Sequence, residues 1–215
     1  MNPTDPTLPA DAVAPLRDFV MAATRLAGQS LDEPARVAAM RPLLARLIAS
    51  DDWLPRDLAQ PHPEHYCQYL LHCDPLERFS VVSFVWGPGQ RTPVHDHTVW
   101  GLIGMLRGAE TGQRYRRAPD GRLAPDGAAA RLEVGDIELV SPAIGDIHQV
   151  ANAYLDRSSV SIHVYGANIG AVARHVFDPQ TGAAKSFVSG YSAGVVPNLW
   201  DRSEAVRRDL ARAAP

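Results

Sequence analysis

The sequence predicts a mainly β protein, a closed antiparallel sandwich or small barrel with helices before it and one short helix after it. Three observations carry that expectation. Apolar residues recur at spacings of three and four before about residue 50 and again near the chain end, which is the periodicity of amphipathic helices. From about residue 66 the pattern changes to short apolar runs. Clusters of Gly, Pro and Asp separate those runs, with no helical stretch between them, and this favours antiparallel pairing over a parallel α/β sheet.

Residues 1–12, rich in Pro and Asp, read as a loose lead-in. Two or three helices follow between residues 13 and 50, with Leu16, Phe19, Val20 and Ala23 on one stripe and Val37, Met40, Leu43, Leu44 and Leu47 on another. Ser30 or Asp32 can cap the second helix, and Pro34 suits its first turn. Strands are expected over 66–71, 79–86, 92–95, 101–107, 112–117, 130–134, 137–140, 148–151 and 160–165. Gly87-Pro88-Gly89, Pro119-Asp120-Gly121, Pro125-Asp126-Gly127, Gly135-Asp136 and Asp156-Arg157-Ser158 are the turns between them. A last helix is expected over 202–213. Residues 1–60 are thus expected to pack as a helical segment on a barrel formed by 61–190, with 191–215 as an extension, all within one structural domain.

A chain of 215 residues is long enough for one domain with a substantial core. Its formal charge of −3 offers no basic surface for a phosphate backbone, so no nucleic-acid partner is expected. No apolar run is long enough to span a bilayer, and Met1-Asn2-Pro3-Thr4-Asp5-Pro6 lacks the parts of a signal peptide. Cys67 and Cys73 do not have the spacing of a redox or zinc pair, and a disulfide between them is unpromising. The expectation is a soluble, reduced, cytoplasmic protein, a monomer or weak homo-oligomer.

The chemistry centres on Pro93-Val94-His95-Asp96-His97 and, about fifty residues on, Gly145-Asp146-Ile147-His148. Strand side chains alternate, so His95 and His97 share a face from which Asp96 and Thr98 point away. His148, arriving from a distant strand, can complete a three-nitrogen cap on one metal ion. Imidazole suits Fe, Zn, Cu or Ni, so three histidines do not select the metal.

The surrounding glycines add a resemblance. Gly89, five residues, His95-Asp96-His97 and then Gly108 resemble the first cupin motif. Gly135, Pro142, Gly145, His148 and Asn152 resemble the second, with its Pro displaced by one residue. The first motif usually carries a glutamate three or four residues past its second histidine, and here Gly101 and Leu102 stand at those positions. The cupin resemblance implies a small antiparallel β-barrel or jelly roll. With no carboxylate ligand, a divalent ion held there would keep its full charge, which favours direct binding of an anionic substrate.

Ser161-Ile162-His163-Val164-Tyr165 alternates polar and apolar residues, so its polar members share one strand face. Inside a small barrel such a stripe needs partners, and a Ser–His–Tyr hydrogen-bond chain supplies them. With the histidine pattern and the missing glutamate, this stripe resembles the thiol dioxygenase family over roughly residues 60–185. The resemblance implies one Fe(II) per chain on His95, His97 and His148, a substrate bound as thiolate, and dioxygen whose two atoms both go to sulfur. It also implies that Tyr165 hydrogen-bonds substrate or oxygen, that His163 fixes the phenol, and that Ser161 fixes His163.

Cysteine dioxygenases of the animal type hold the substrate carboxylate with an early arginine, where this chain has Gln68 in Tyr66-Cys67-Gln68-Tyr69. They also carry a cysteine that crosslinks to the tyrosine. Thr98-Val99-Trp100-Gly101-Leu102 contains none, so no Cys–Tyr crosslink is expected. Both departures resemble the bacterial branch that prefers 3-mercaptopropionate, in which an arginine nine residues after the tyrosine binds the carboxylate. Arg174 stands at that offset, and Gln68 and Arg174 are the expected substrate-binding pair. The implied reaction converts 3-mercaptopropionate and O2 to 3-sulfinopropionate. The competing readings are a cysteine dioxygenase, a cupin isomerase using another metal, and a cupin sensor or binding module.

His62, His65, His72 and His175 are expected at the surface or behind the metal ligands. Cys67, opposite in strand parity to Gln68, is expected outside the pocket. Trp86 and Trp100 are expected in the core or pocket wall, and Trp53 and Trp200 in helix packing.

Overall fold

The computed structural model describes residues 13–192 and 203–213. The lead-in expected over 1–12 and the packing role of Trp200 lie outside the described residues. Two helices open the described chain, α1 (Ala14–Ala27) and α2 (Glu33–Leu47). Asp32 is the cap of α2: its side chain accepts the Ala35 N–H at 2.9 Å, and Pro34 occupies the first turn, where its missing N–H costs nothing. Ser30, the other candidate, stands before the helix without capping it.

Twelve strands follow among the described residues: β1 (Cys67–Cys73), β2 (Ser80–Trp86), β3 (Val94–His95), β4 (Gly101–Arg107), β5 (Ala109–Arg117), β6 (Leu123–Pro125), β7 (Ala130–Glu133), β8 (Ile137–Val140), β9 (His148–Asn152), β10 (Ser159–Tyr165), β11 (Arg174–Phe177) and β12 (Ala184–Phe187). Helix α3 (Ser203–Ala213) falls within the range expected from the sequence, whose first residue, 202, lies outside the described residues. β6, β11 and β12 were not expected. β6 is three residues ending in a proline and β12 is four mostly exposed residues, both at sheet edges, and β11 is an Arg-His pair followed by two apolar residues, so all three are too brief for periodicity to register. β5 begins at Ala109 rather than at residue 112, because Ala109, Glu110 and Thr111 pair with β7.

One sheet has the order β1-β2-β10-β4-β8, and the other runs β12-β11-β3-β9-β5-β6 with β7 also on β5. The pairings are antiparallel, and the architecture is the mainly β cupin barrel expected, with helices at both ends of the chain.

Burial on both faces of the first sheet positions the site. β2 and β10 are buried at every residue. Val81, Val85, Leu102, Leu106, Val160, Ile162 and Val164 face α1 and α2, where Phe19, Ala23, Met40, Leu44 and Leu47 meet them. Removing the Leu44 side chain from such a position costs about 2–5 kcal/mol. Gly104 lets α2 come close, since a Cβ there would lie 3.0 Å from Ile48 Cδ1. The alternate residues, Val82, Phe84 and Trp86 on β2 with Tyr165 on β10, pack on the other face. The helices thus cover one side of a sheet whose opposite side is free to carry polar chemistry.

Both cysteines are buried at opposite ends of β1, about 20 Å apart at strand rise, which rules out a bridge between them. Cys67 packs beneath the helices, as its parity requires. Trp53 is fully buried, with its indole N–H donating to Leu47 O at 2.8 Å. Trp100 is in the core beneath the helices, while Trp86 is in the wall of the cavity described below.

Candidate metal centre

His95 closes β3 and pairs directly with His148, which opens β9. His97 departs from the strand-face expectation: β3 ends at His95, and the chain turns at Thr98, whose φ is +59°. His97 shares the face of His95 through a clamp instead. Asp146 Oδ2 accepts the backbone N–H groups of His97 and Thr98 at 2.9 and 3.0 Å, tying that turn to the loop before His148. The three rings converge, with centroids 4.8–4.9 Å apart and ligating atoms all within 4.8 Å of one another.

The environment keeps these imidazoles neutral, the form that ligates a metal. Burial pushes His95 down to about 4, and the Arg174 guanidinium adds to the effect. His97 and His148 lie well below the ordinary histidine value because of burial first and neighbouring imidazoles second. His95 Nδ1 is 3.1 Å from the Pro93 carbonyl, which takes its hydrogen and leaves the Nε2 lone pair available. The Nδ1 atoms of His97 and His148 are buried with no hydrogen-bond partner among the described residues. Three buried neutral nitrogen donors, with no carboxylate joining them among the described residues, fit a divalent ion of the Fe or Zn kind.

A cavity of about 230 Å³ opens onto these rings. His163, Tyr165, Gln68, Arg174, Phe84, Trp86, Tyr66 and Phe187 complete much of its wall. All the residues expected at the site therefore meet in one place except Ser161, which stands behind His163. Ser161 Oγ is 2.8 Å from His163 Nε2, and His163 Nδ1 is 2.8 Å from the Tyr165 hydroxyl. Phe84 stacks on His163, and the Tyr165 ring lies along His97. Burial drives the His163 pKa to about 3 and pushes the Tyr165 phenol upward, so both groups are neutral.

Arg174, the first residue of β11, is 3 % exposed. Its Nη2 donates to Ser189 Oγ at 2.7 Å, its guanidinium lies over the Phe187 ring, and its Nε has no partner. No carboxylate pairs with it among the described residues, although a buried charge ordinarily has a counter-ion. Gln68 lines the cavity as expected, but both hydrogens of its amide are engaged: Nε2 donates to Ser189 Oγ at 3.1 Å and to Gly190 O at 2.6 Å. Its free handle is therefore an acceptor, which does not suit a carboxylate.

Asp96 faces away from the metal ligands. Its Oδ1 accepts the His175 N–H at 2.7 Å and its Oδ2 lies 2.9 Å from His175 Nδ1, which anchors β11 one residue from Arg174. His175 thus stands behind the site rather than in it. His62 and His65 stack on each other outside the cavity, and His72 is packed near Phe79. Sequence reasoning missed Asp146, Ser189 and Glu110. Gly145-Asp146 has the composition of an ordinary turn, Ser189 carries no local signal, and Glu110 lies in the part of β5 that precedes the expected strand.

Residues 36–178 match the family model of cysteine dioxygenase type I. Among solved structures, the chain is similar to an uncharacterized conserved protein with a double-stranded β-helix domain from Klebsiella pneumoniae, with 16% identity over 62% of this chain and 86% of that one and a TM-score of 0.41. A cupin superfamily protein from Desulfitobacterium hafniense is similar at 15% identity over 53% and 89%, TM-score 0.41. A Cupin 2 conserved barrel domain protein from Salinispora arenicola is similar at 22% identity over 52% and 85%, TM-score 0.39. The family match spans most of the chain and contains the three histidines, the Ser161–His163–Tyr165 stripe and Arg174: the chain belongs to the cysteine dioxygenase type I family.

Proposed function

We propose that this protein is a thiol dioxygenase that oxidises 3-mercaptopropionate with O2 to 3-sulfinopropionate. His95, His97 and His148 would hold one Fe(II). The observation that carries the reading is the buried guanidinium of Arg174, without a carboxylate partner, in the same cavity as three neutral imidazoles.

Bound Fe(II) supplies the Lewis acidity that ionises a thiol and the redox chemistry that joins dioxygen to sulfur. Both oxygen atoms end on sulfur, so no external reductant enters the balance. The protein's own groups bind and orient. Arg174 receives the substrate carboxylate through its forked N–H donors. Gln68 contributes by holding Ser189, the acceptor that steadies Arg174. Tyr165, on the chain from Ser161 and His163, presents a neutral phenol to the reacting end of the substrate. Phe84, Trp86 and Phe187 exclude water and strengthen these contacts.

The composition of the wall supports a substrate without an amino group. No carboxylate lines the cavity among the described residues, so an α-ammonium would be desolvated with no anion to receive it, beside the cationic Arg174. The cavity is also below the size of pockets that take drug-like ligands and suits a small acid. Oxygen uptake by the iron-loaded protein with 3-mercaptopropionate and L-cysteine, side by side, tests this. A higher kcat/KM for 3-mercaptopropionate is expected. A much higher value for L-cysteine would make the protein a cysteine dioxygenase, and stoichiometric zinc with no uptake on either thiol would reject the reaction.

A further inference from the structure

Glu110 is a buried acid with no role in the reaction as described so far. It is 1 % exposed, on the part of β5 that pairs with Asn152 of β9 and Leu132 of β7. The X–H groups that act on its carboxyl are the Ser161 hydroxyl of β10 and the Trp86 indole N–H of β2, and the indole closes no hydrogen bond with it. No cation faces it. Arg114, on its own strand, is committed to Glu138 of β8 at 2.9 Å, and Glu138 acts on Glu110 only as a second negative charge. Asn152 is spent on backbone carbonyls, its Nδ2 donating to Gly87 O at 3.0 Å and to Arg157 O at 2.8 Å. Glu110 Oε1, Trp86 Nε1 and Ser159 Oγ are buried polar atoms with no hydrogen-bond partner among the described residues.

A carboxyl buried without a counter-ion is held neutral. Burial, with Glu138 adding to it, moves Glu110 up to about 8 even though Ser161 and Trp86 pull the other way. The protonation of this acid decides the direction of the hydrogen bonds beyond it. A neutral Glu110 has one O–H to give. If it donates to Ser161 Oγ, Ser161 donates to His163 Nε2, and His163 Nδ1–H donates to the Tyr165 oxygen. The phenol hydrogen is then left for the cavity. An ionised Glu110 reverses every bond. Ser161 donates to the carboxylate, His163 carries its hydrogen on Nε2, and Tyr165 gives its hydrogen to Nδ1. One proton leaves Glu110 and the imidazole changes tautomer, so the proton count balances.

We propose that Glu110, as the neutral acid, is a positioning residue that sets the polarity of the Ser161–His163–Tyr165 chain and turns the Tyr165 hydroxyl hydrogen into the cavity. Its effect on turnover rests on the thiol dioxygenase reading; its effect on the His163 tautomer does not.

Nitrogen-15 NMR of the full chain loaded with zinc, a diamagnetic ion, reads the tautomer directly. At neutral pH His163 is expected as Nδ1–H, converting to Nε2–H as the pH rises past about 8. Glu110→Gln, whose amide donates like the neutral acid but does not ionise, keeps Nδ1–H throughout. In the iron-loaded enzyme with 3-mercaptopropionate, the fall of kcat/KM in that alkaline range is expected to vanish in Glu110→Gln. Glu110→Leu is expected to lower kcat on the order of tenfold with little change in KM, the loss of one hydrogen bond realised in the transition state. Nε2–H at neutral pH in the wild type, or the same alkaline change in Glu110→Gln, overturns the inference. The wild-type titration stays decisive if a variant fails to fold. The expected tautomers with no thiol oxidation would reject the reaction and leave the positioning role standing.

Discussion

Gln68 and Arg174 meet on a single oxygen, Ser189 Oγ, which accepts the Gln68 amide at 3.1 Å and the Arg174 guanidinium at 2.7 Å. The two residues expected to grip substrate are therefore coupled through a third, 15 residues beyond the arginine. Ser189→Ala leaves two buried donors without an acceptor, a cost of about 1–3 kcal/mol that loosens Arg174 rather than removing its charge. KM for 3-mercaptopropionate is expected to rise about tenfold. Arg174→Ala is expected to raise it further, by on the order of 100-fold, because a charge-assisted pair is lost. Oxygen uptake with an uncharged thiol, 2-mercaptoethanol, is the control, and equal effects on both thiols would reject the carboxylate clamp.

Tyr165→Phe tests whether the phenol serves the reaction or the metal. The hydroxyl is 2.8 Å from His163 Nδ1, and its ring lies along His97 with centroids 5.6 Å apart. Phenylalanine keeps the ring contact and loses only the hydrogen bond. Iron content is expected to be nearly unchanged while kcat, or the ratio of product formed to oxygen consumed, falls. Metal analysis beside single-batch activity checks both, and loss of iron would place Tyr165 among the ligands instead.

Gly101 stands where a related site could carry a side chain, and here nothing larger than glycine fits. A Cβ at this position would lie 2.7 and 2.8 Å from Tyr165 Cδ1 and Cε1 and 3.0 Å from Val140 Cγ2. Gly101→Ala therefore has to displace the Tyr165 ring or the β4–β8 pair, at about 1–3 kcal/mol. Both Tm and kcat are expected to fall. Gly112→Ala is the comparison, since a Cβ there meets only Glu138 Oε2 at 3.5 Å. A Gly101→Ala protein with wild-type activity would show that the Tyr165 position is not critical.

The sequence made legible those parts of the site whose chemistry is written in a period or a spacing. His95, His97 and His148 are brought together as their spacing suggested, and Ser161, His163 and Tyr165 form a hydrogen-bonded chain because alternate residues share a strand face. The supporting parts were not legible, because they depend on pairings between distant segments. Asp146 clamps the turn after His97, Asp96 ties β3 to β11, and Ser189 joins Gln68 to Arg174. None of these contacts leaves a mark in local sequence. Gln68 shows the same limit in a residue that was singled out: its place in the cavity wall followed from strand parity, but the occupation of its amide by Ser189 and Gly190 did not. The helical face was readable as two stripes, while its seat on the outer side of the first sheet depended on that sheet being buried on both faces.

Buried neutral histidines also make the metal-free protein sensitive to acid. Folding lowers the pKa of His95 from 6.5 to about 4 and that of His163 to about 3, and lowers His97 and His148 as well, in each case chiefly by burial. As pH falls below 6.5 the unfolded chain takes up protons that the native state refuses, so stability falls with pH. The contribution is fully present above 6.5 and is lost progressively until the folded values are passed, near 4 for His95 and 3 for His163. His95 alone accounts for on the order of 3 kcal/mol across its window. Thermal unfolding of metal-free protein between neutral pH and about pH 5 is expected to show a steadily falling Tm. A metal ion held by these histidines would steepen the loss, because protons and metal compete for the same nitrogens. A Tm that stays flat or rises over that interval would mean that the four imidazoles are solvated rather than buried neutral.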